Sequence, residues 1–354
     1  AKTLREISKK GRDGFYKGIV ASKIDTYMKE NGGLITKEDL ESYMPVWRDP
    51  IKSTYKDVEI ITMGPPSSGG IHIVQMLNIL EFFDLSQYKH NSSKYINLLT
   101  ETMKYAYADR SKYLGDPDFY DVPISKIIDK DYAKKIHSRI RVGQSTPSSK
   151  ILPGEGFDNE SLETTHFSIV DKSGNVVSST YTLNSTFGSG VVIEGTGILM
   201  NNEMDDFSAA PGIPNQFGLL GAKANEIQPF KRPLSSMTPT IVMKDEEFFF
   251  STGSPGGSRI ISTVLQSILN IVDFDMNLEE TNNAIRIHHQ WQPDLLQIET
   301  RLSENTRHEL LDLNYNIQII EPATCLQTII YKDNKYYGYG DYRRPDAFAS
   351  GDIK

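Results

Sequence analysis

Two adjacent threonines lie at the point where a long polar segment ends and a segment with the alternating pattern of a strand begins. Residues 142–163 are rich in Gly, Pro, Ser and Glu, and the segment after them, Thr164-Thr165-His166-Phe167-Ser168-Ile169-Val170, alternates like a half-buried strand. If the chain cuts itself before Thr164, that residue gains a free α-amino group, which titrates at about pH 8. The amine can take the hydroxyl proton and turn the side chain into a nucleophile. The plainer interpretation is a threonine-rich edge strand, since β-branched residues favour strands.

The length and composition of the chain exclude several classes of protein. With 354 residues, the chain has room for two average domains or one large one. Its formal net charge of −8 argues against a nucleic-acid partner. The single cysteine, Cys325, excludes an internal disulfide and a multi-cysteine metal site, and neither a metal nor a cofactor is expected. No apolar run approaches the roughly 20 residues of a membrane span, and the opening helical pattern suggests that a targeting segment has been removed.

Helical spacing of apolar residues dominates the chain up to residue 141, and the polar stretch at 142–163 is predicted to be a linker. The elements predicted before the linker are a helix capped by Thr36 and Asp39, one strand over Ser53–Thr62, a helix from near Ile71, and a helix from Ser93 towards Tyr107.

Two hairpins are predicted after the linker. In the first, the strand that starts at Thr164 pairs with Val176–Thr182, which would set Thr182 beside Thr164. The second joins Thr240–Met243 to Phe248–Thr252, and a long helix follows from near Ser258. Hairpins followed by helices favour stacked sheets covered by helices over alternating βαβ units.

The segment Ser254-Pro255-Gly256-Gly257-Ser258-Arg259 lies between a predicted strand and a helix start. The first turn of a helix has unpaired N–H donors and partial positive charge, and glycines let the backbone approach a ligand closely. Gly256 and Gly257 are therefore candidates for an oxyanion hole, and the same geometry suits a phosphate. A plain helix entry is the alternative.

Two further segments carry candidate binding groups. Asn201-Asn202-Glu203-Met204-Asp205-Asp206 holds three acids, which suit acid–base catalysis, a metal ion or a ligand ammonium group. Ser235 and Ser236 offer adjacent hydroxyls that could hold a carboxylate. An acidic turn and a Ser-Pro turn are the plainer interpretations. The polar and aromatic cluster of Arg286, His288, His289 and Trp291 is interpreted as structural, because no third ligand stands at zinc-like spacing.

Together these segments resemble the bacterial γ-glutamyltranspeptidases, which are N-terminal-nucleophile hydrolases. The matching segments follow the family's order from Gly32 to Arg259. They are Gly32-Gly33-Leu34-Ile35-Thr36-Lys37-Glu38-Asp39-Leu40, Pro65-Pro66-Ser67-Ser68-Gly69-Gly70-Ile71-His72, Tyr107-Ala108-Asp109-Arg110-Ser111, Thr164-Thr165-His166, Tyr181-Thr182-Leu183-Asn184, Asn201-Asn202-Glu203-Met204-Asp205-Asp206-Phe207-Ser208, Arg232-Pro233-Leu234-Ser235-Ser236-Met237 and Ser254-Pro255-Gly256-Gly257-Ser258-Arg259.

The resemblance implies a role for each matching position. Thr164 would be the nucleophile, released by self-cleavage after Glu163, and Thr182 would hydrogen-bond it. Gly256 and Gly257 would form the oxyanion hole. The remaining positions would hold the γ-glutamyl group, its α-amino end by Asn184, Glu203 and Asp206, and its α-carboxylate by Ser235 and Ser236.

Three departures from the family pattern stand out. Glu203 occupies a position where many bacterial members have Gln, and Phe217, in the loop that resembles the family's lid, occupies one where Tyr is common. Family members also carry a segment ahead of the region where this chain begins, with an arginine that pairs with the substrate carboxylate. The chain is therefore expected to be a fragment of the precursor.

The resemblance also implies an α+β fold, a four-layer αββα sandwich whose core sheets come largely from residues 164–354. Residues 1–163 would be the C-terminal part of a large subunit and residues 164–354 the small catalytic subunit, both from one precursor. The expected reaction transfers a γ-glutamyl group from glutathione and similar small molecules to water, amino acids or peptides, through a γ-glutamyl-threonine ester. The expected location is periplasmic or secreted. The alternatives are a related acylase, a poly-γ-glutamate depolymerase, or an inactive uncleaved fragment that binds γ-glutamyl ligands.

Overall fold

The computed structural model describes residues 1–152, 165–208 and 222–351, so Thr164, Phe217 and the second half of the predicted linker lie outside the described residues. The chain divides into two compact units. The first comprises Ala1–Asp49 and Leu183–Glu203, and the second comprises Pro50–Thr182 and Met204–Lys354.

Helices and strands both occur along the whole of the described chain. The helices are α1 (Lys2–Lys10), α2 (Asp13–Tyr16), α3 (Gly18–Glu30), α4 (Lys37–Ser42), α5 (Gly69–Leu80), α6 (Ser93–Tyr113), α7 (Ile124–Ile127), α8 (Lys130–His137), α9 (Arg259–Val272), α10 (Leu278–Asn283) and α11 (Glu304–Asp312). The strands are β1 (Ile51–Tyr55), β2 (Val58–Thr62), β3 (Thr165–Val170), β4 (Val176–Tyr181), β5 (Val192–Ile193), β6 (Ile198–Leu199), β7 (Thr240–Lys244), β8 (Glu247–Thr252), β9 (Ile287–His288), β10 (Leu296–Glu299), β11 (Ile317–Ile320), β12 (Gln327–Lys332) and β13 (Lys335–Gly340).

The first unit contains helices α1 to α4 and the β5–β6 ribbon. Its core packs Val20 and Ile24 of α3 against Ile193 of β5. The predicted capping box of α4 is confirmed, because the Thr36 hydroxyl accepts the Asp39 N–H while the Asp39 carboxylate accepts the Thr36 N–H.

The second unit is built on one antiparallel sheet with the strand order β1-β2-β7-β8-β12-β13. The side chains of β8 show what covers each face. The Thr252 hydroxyl lies 3.3 Å from that of Ser267 on α9, and the Ser251 hydroxyl lies 3.0 Å from that of Ser168 on β3. Because successive strand residues point to opposite faces, helices cover one face of this sheet and the β3–β4 hairpin covers the other.

The α+β class is confirmed. The order of layers in the second unit, helices then sheet then hairpin, agrees with stacked sheets covered by helices. The helix layer is apolar, since every residue of α5 is buried and α5 packs against α9. Both predicted hairpins are present, as β3–β4 and β7–β8. Within the described residues, no helix combines the length and the apolar character needed to cross a bilayer.

Two sequence predictions need correction. The single strand expected over Ser53–Thr62 is the hairpin β1–β2, whose turn places Lys56 at φ 51°. Glycine and Asn favour this left-handed conformation, so a lysine gave no turn signal. The second correction concerns the stretch expected to be a linker, because residues 143–151 in its first half are hydrogen-bonded to side chains of the folded core, which are Asn97, Glu101, Asp294 and Trp291.

Candidate active site

Strand β3 begins one residue after Thr164. Its register pairs Thr165 with Tyr181, so the chain enters the hairpin one residue from each of the two threonines that the sequence singled out, Thr164 and Thr182. Thr164 itself lies outside the described residues. The predicted proximity of these two threonines therefore stays a prediction.

His166 fixes the start of β3 against the loop that precedes α9. Its ring lies on the backbone of Gly253, where an added Cβ atom would come within 2.1 Å of the imidazole Cε1 atom. The ring nitrogens lie 2.8 Å from the Thr180 hydroxyl and 3.2 Å from the Ser168 hydroxyl. Burial lowers the pKa of His166 to about 3, so the imidazole is neutral at physiological pH. The loop of residues 254–258, which follows Gly253 and which we call the glycine loop, is thus held next to the entry to β3 by a buried, uncharged contact.

The glycine loop has the backbone conformation that only glycine adopts easily. Gly256 has φ 133° and Gly257 has φ 56°, and a Cβ atom on Gly256 would lie 2.5 Å from Thr324 Cγ2. The loop is fixed to the segment around Cys325, because the Ser254 hydroxyl accepts the N–H of Cys325 at 3.0 Å. It leads directly into α9, whose first turn contributes partial positive charge. This geometry suits a group that develops negative charge.

The two serines lie side by side on a segment that is hydrogen-bonded to the loop before α5. Ser235 donates its N–H to the Pro66 carbonyl at 2.8 Å, and its own carbonyl accepts the N–H of Ser68 at 2.8 Å. The Ser235 hydroxyl accepts the N–H of Met237 at 3.1 Å. A hydroxyl that accepts a bond keeps its hydrogen available to donate in another direction.

Arg110, on α6, reaches this serine pair. Its Nε atom donates to the Ser68 hydroxyl at 2.9 Å, and its Nη2 atom donates to the Ser236 hydroxyl at 3.0 Å. The side chain is only 2% exposed. A guanidinium can only donate, so it fixes the Ser236 oxygen as an acceptor and places a positive charge beside the serines. Sequence analysis noted the segment that contains Arg110 without assigning it a role.

Asn225 joins the acidic turn to the serine segment. Its amide nitrogen donates to the Asp206 carbonyl at 2.7 Å, and its amide oxygen accepts the N–H of Leu234 at 3.0 Å. Leu234 directly precedes Ser235. The structure therefore brings Asp206 and the serine pair together, through a residue that sequence analysis did not consider.

Asn184 and Glu203, both in the first unit, are each hydrogen-bonded to one of two adjacent asparagines. Asn184 has φ 72° and is 7% exposed, and its amide donates to the Asn202 carbonyl at 3.1 Å. The neighbouring Glu203 begins the 3-10 turn Glu203–Asp206, where its N–H donates to the Asn201 side chain at 2.9 Å. Asn184 and the start of the turn are thus both tied to the Asn201-Asn202 pair.

A buried polar chain lies next to Arg110. Gln75 Nε2 and the Tyr132 hydroxyl both donate to Asp109 Oδ2, at 2.6 and 2.8 Å, and His72 Nδ1 lies 3.0 Å from Gln75 Oε1. Burial raises the pKa of Asp109 to about 6, although the two hydrogen bonds oppose that shift. Burial lowers the pKa of His72 to about 3.

The cluster that sequence analysis interpreted as structural is buried and hydrogen-bonded. Arg286 pairs with Asp341, His288 Nδ1 lies 2.8 Å from the Ser262 hydroxyl, and His289 Nε2 lies 3.2 Å from Asp294. No group of three or more His, Cys, Asp and Glu side chains in the described part of the chain is arranged to hold a metal ion.

Known proteins resemble this chain in sequence over almost its whole length. The family model for gamma-glutamyltranspeptidase matches residues 1–351. A glutathione hydrolase proenzyme of Escherichia coli (strain K12) is 51% identical over 99% of this chain, which spans 61% of that protein. This chain therefore covers less than two-thirds of the length of that relative.

Two solved structures resemble this fold. The crystal structure of a cephalosporin acylase from Bacillus halodurans superimposes with a TM-score of 0.84 at 26% identity, over 97% of this chain and 60% of that one. A Helicobacter pylori gamma-glutamyltranspeptidase T380A mutant is 47% identical, with a TM-score of 0.50, and its whole chain matches 51% of this chain.

Proposed function

This chain belongs to the gamma-glutamyltranspeptidase family, and we propose that it transfers γ-glutamyl groups with Thr164 as nucleophile, after self-cleavage between Glu163 and Thr164. The observation that carries the proposal is the contact of His166 with Gly253. It fixes the start of β3, one residue after Thr164, beside a loop suited to a developing oxyanion. Acyl transfer requires the nucleophile and the oxyanion donors each to lie within about 3 Å of the reacting group, so these two parts of a site must be neighbours.

The proposed reaction has two halves. The α-amino group freed on Thr164 takes the proton of its own hydroxyl as the oxygen attacks the γ-carbonyl. The N–H groups of Gly256 and Gly257 stabilise the tetrahedral oxyanion, which collapses to a γ-glutamyl-threonine ester as the amine leaves with a proton. Water or an acceptor amine then attacks the ester and regenerates the hydroxyl. Thr182 is proposed to hydrogen-bond the nucleophile.

The proposed substrate contacts follow from charge. Ser235 and Ser236 donate to the α-carboxylate, supported by the nearby Arg110 guanidinium. Asp206 and Glu203 supply negative charge for the α-ammonium group, and Asn184 supplies a further hydrogen bond. The family supports these assignments, and the link that Asn225 makes between Asp206 and Leu234 supports placing the two ends of the substrate side by side.

Residues 1–163 and 164–354 are proposed to be the two pieces of a processed enzyme. The proenzyme name of the Escherichia coli relative supports this division, and so does the Helicobacter pylori chain that matches about half of this one over its full length. The substrate is proposed to be a small γ-glutamyl compound such as glutathione, and the location periplasmic or secreted, as in the exported members of this family. No nucleic-acid partner is proposed, given the net charge of −8.

The cut is tested by the intact mass of the purified protein. We expect two pieces separated between Glu163 and Thr164, and a single uncut, inactive chain for Thr164→Ala, since that variant lacks the attacking hydroxyl. Thr165→Ala is the matched control, because it removes the neighbouring hydroxyl. A Thr164→Ala protein that still cuts at this bond would show that another group attacks.

A second candidate function is an acylase that acts on substrates without an α-amino group, which the fold match to the cephalosporin acylase favours. Glutaryl-p-nitroanilide retains the carboxylate of γ-glutamyl-p-nitroanilide and lacks its amine. We expect a strong preference for the γ-glutamyl compound. Asp206→Asn should abolish most of that preference, because a hydrogen bond to a charged group is worth about 1.5–3 kcal/mol. Equal turnover of both compounds would favour the acylase.

A further inference from the structure

Residues 143–151, which we call the anchored tail, run along a buried polar surface. Three side chains on one face of α6 bind its first half. Asn97 bonds both Gly143 and Gln144, Glu101 accepts the Thr146 N–H at 3.1 Å, and Lys104 donates to the Thr146 carbonyl at 2.8 Å. Lys104 and Glu101 also pair with each other at 2.8 Å, and both are buried.

The second half of the anchored tail is bound by residues that follow the proposed cleavage site in the sequence. Asp294 accepts both the N–H and the hydroxyl of Ser148, at 2.9 and 2.7 Å. The Trp291 indole N–H is shared between the carbonyls of Ser148 and Ile151, at 2.9 and 2.8 Å. Ser148, Ile151 and Trp291 are each at most 1% exposed, so the end of the tail is inserted into the core.

The binding residues are themselves fixed in place. The Trp291 backbone N–H donates to His289 Nδ1 at 3.0 Å, which leaves Nε2 as the protonated nitrogen that faces Asp294 at 3.2 Å. Hydrogen bonds from His289 and Ser148 hold the pKa of Asp294 below its usual range despite partial burial, so the carboxylate is charged. Trp291 has φ 70°, a strained conformation for a bulky residue. Strain of this kind persists where the surrounding structure enforces it, often for function.

We propose that the surface formed by Trp291 and Asp294 is a docking site for the end of the first piece, and that the anchored tail stays bound there after the chain is cut. This inference rests on the proposed cleavage between Glu163 and Thr164. The cut falls twelve residues beyond Ile151 and breaks none of the hydrogen bonds that hold Ser148 and Ile151. The docked tail therefore forms part of the interface between the two pieces.

Lys150 provides the means to test the docking. It is exposed, yet it lies between the two anchored residues Ser148 and Ile151, so trypsin can cut after it only when the tail opens. We expect trypsin to cut after Lys150 equally slowly in the self-cleaved protein and in uncut Thr164→Ala. Trp291→Phe and Ser148→Ala should each speed this cut about fivefold or more, since each removes a buried hydrogen bond. The rate is read by mass spectrometry, relative to the cut after Lys332.

The chain contains a matched control. Trp47 is the other tryptophan and is fully exposed, so Trp47→Phe makes the same chemical change away from the tail and should leave the rate at Lys150 unchanged. Ser148→Ala covers the case in which Trp291→Phe fails to fold. If the self-cleaved protein is cut after Lys150 as fast as Trp291→Phe while uncut Thr164→Ala resists, the tail leaves on cleavage and the inference is wrong. A protein that never cleaves at Thr164 overturns the proposed function, and the docking with it.

Discussion

At the scale of single residues, the candidate site depends on side chains that connect segments distant in sequence. Arg110 ties α6 to Ser68 and Ser236, and Asn225 ties the acidic turn to the serine segment. Neither residue would touch the reacting atoms in the proposed reaction. They act by fixing where the neighbouring hydroxyls and carbonyls point.

Arg110→Met should weaken binding of substrates that carry an α-carboxylate. Loss of the guanidinium removes the donor that orients Ser236 and the charge beside it, so KM for γ-glutamyl-p-nitroanilide should rise about tenfold, with kcat changing less. 4-Aminobutanoyl-p-nitroanilide lacks the carboxylate, and its kinetics should change little. Lys94→Met, at an exposed position in the first turn of the same helix, serves as the control. An equal loss on both substrates would assign Arg110 a purely structural role.

At the scale of elements, the site lies where β3, the glycine loop and α9 meet. His166 packs on Gly253 just before the loop, and the loop ends at the first turn of α9. Strand β3 packs on β8 through the contact between the Ser168 and Ser251 hydroxyls, and this packing positions the junction. The loop itself depends on two glycines with positive φ.

Gly257→Ala should lower kcat by about a hundredfold or more and change KM much less. An oxyanion exists only on the reaction path, and loss of one donor to it costs roughly 3 kcal/mol. Gly32→Ala is a matched control, since Gly32 has a similar φ of 72° in open space and its substitution carries backbone strain alone. Normal turnover in Gly257→Ala would identify the loop as a plain helix entry.

Elements with local signals could be predicted from the sequence. The capping box at Thr36 and the hairpins β3–β4 and β7–β8 each follow from a few adjacent residues. The β1–β2 turn was missed because Lys56 occupies a conformation that its side chain does not favour. Arg110 and the anchored tail were missed because their partners, Ser236 and Trp291, lie more than a hundred residues away. The polar composition of residues 142–163 predicted a linker and gave no sign of the hydrogen bonds that hold the anchored tail.

At the scale of the whole molecule, strands from both sides of the proposed cut share one sheet. Strand β2, from the first piece, pairs with β7, from the second, over five residue pairs. Helices of both pieces contribute to the same core, as α5 and α9 show. Unfolding of a cut protein would therefore be coupled to separation of its pieces. Global stability is best measured on the uncut Thr164→Ala chain.

In that uncut background, Asp109 should make stability depend on pH. Its folded pKa of about 6 lies above the value of about 3.9 for an unfolded chain, so the folded state keeps its proton longer. The contribution of Asp109 to the free energy of unfolding should consequently fall by roughly 3 kcal/mol as pH rises from 4 to beyond 6. Asp109→Asn, neutral at every pH, should lack this component.

The measurement is urea unfolding at pH 4.5 and pH 7.5, compared between the uncut chain and its Asp109→Asn variant. His72 acts in the opposite direction, because its folded pKa of about 3 lies below its unfolded value and its contribution to stability grows as pH rises. Since His72 is present in both proteins, the difference between them isolates the Asp109 carboxyl. An identical pH dependence in both proteins would show that Asp109 titrates alike in the folded and unfolded states.

The placement of the two tryptophans also has a spectroscopic consequence. Trp47 is fully exposed and Trp291 is 1% exposed, so the intrinsic fluorescence of the chain combines a water-exposed emitter with a buried one. In Trp47→Phe, the remaining tryptophan emission comes entirely from the indole that holds Ser148 and Ile151. Its wavelength and its resistance to acrylamide quenching then report the environment of that single ring. The protein thereby contains an optical probe with which the fate of the anchored tail can be followed in real time during self-cleavage.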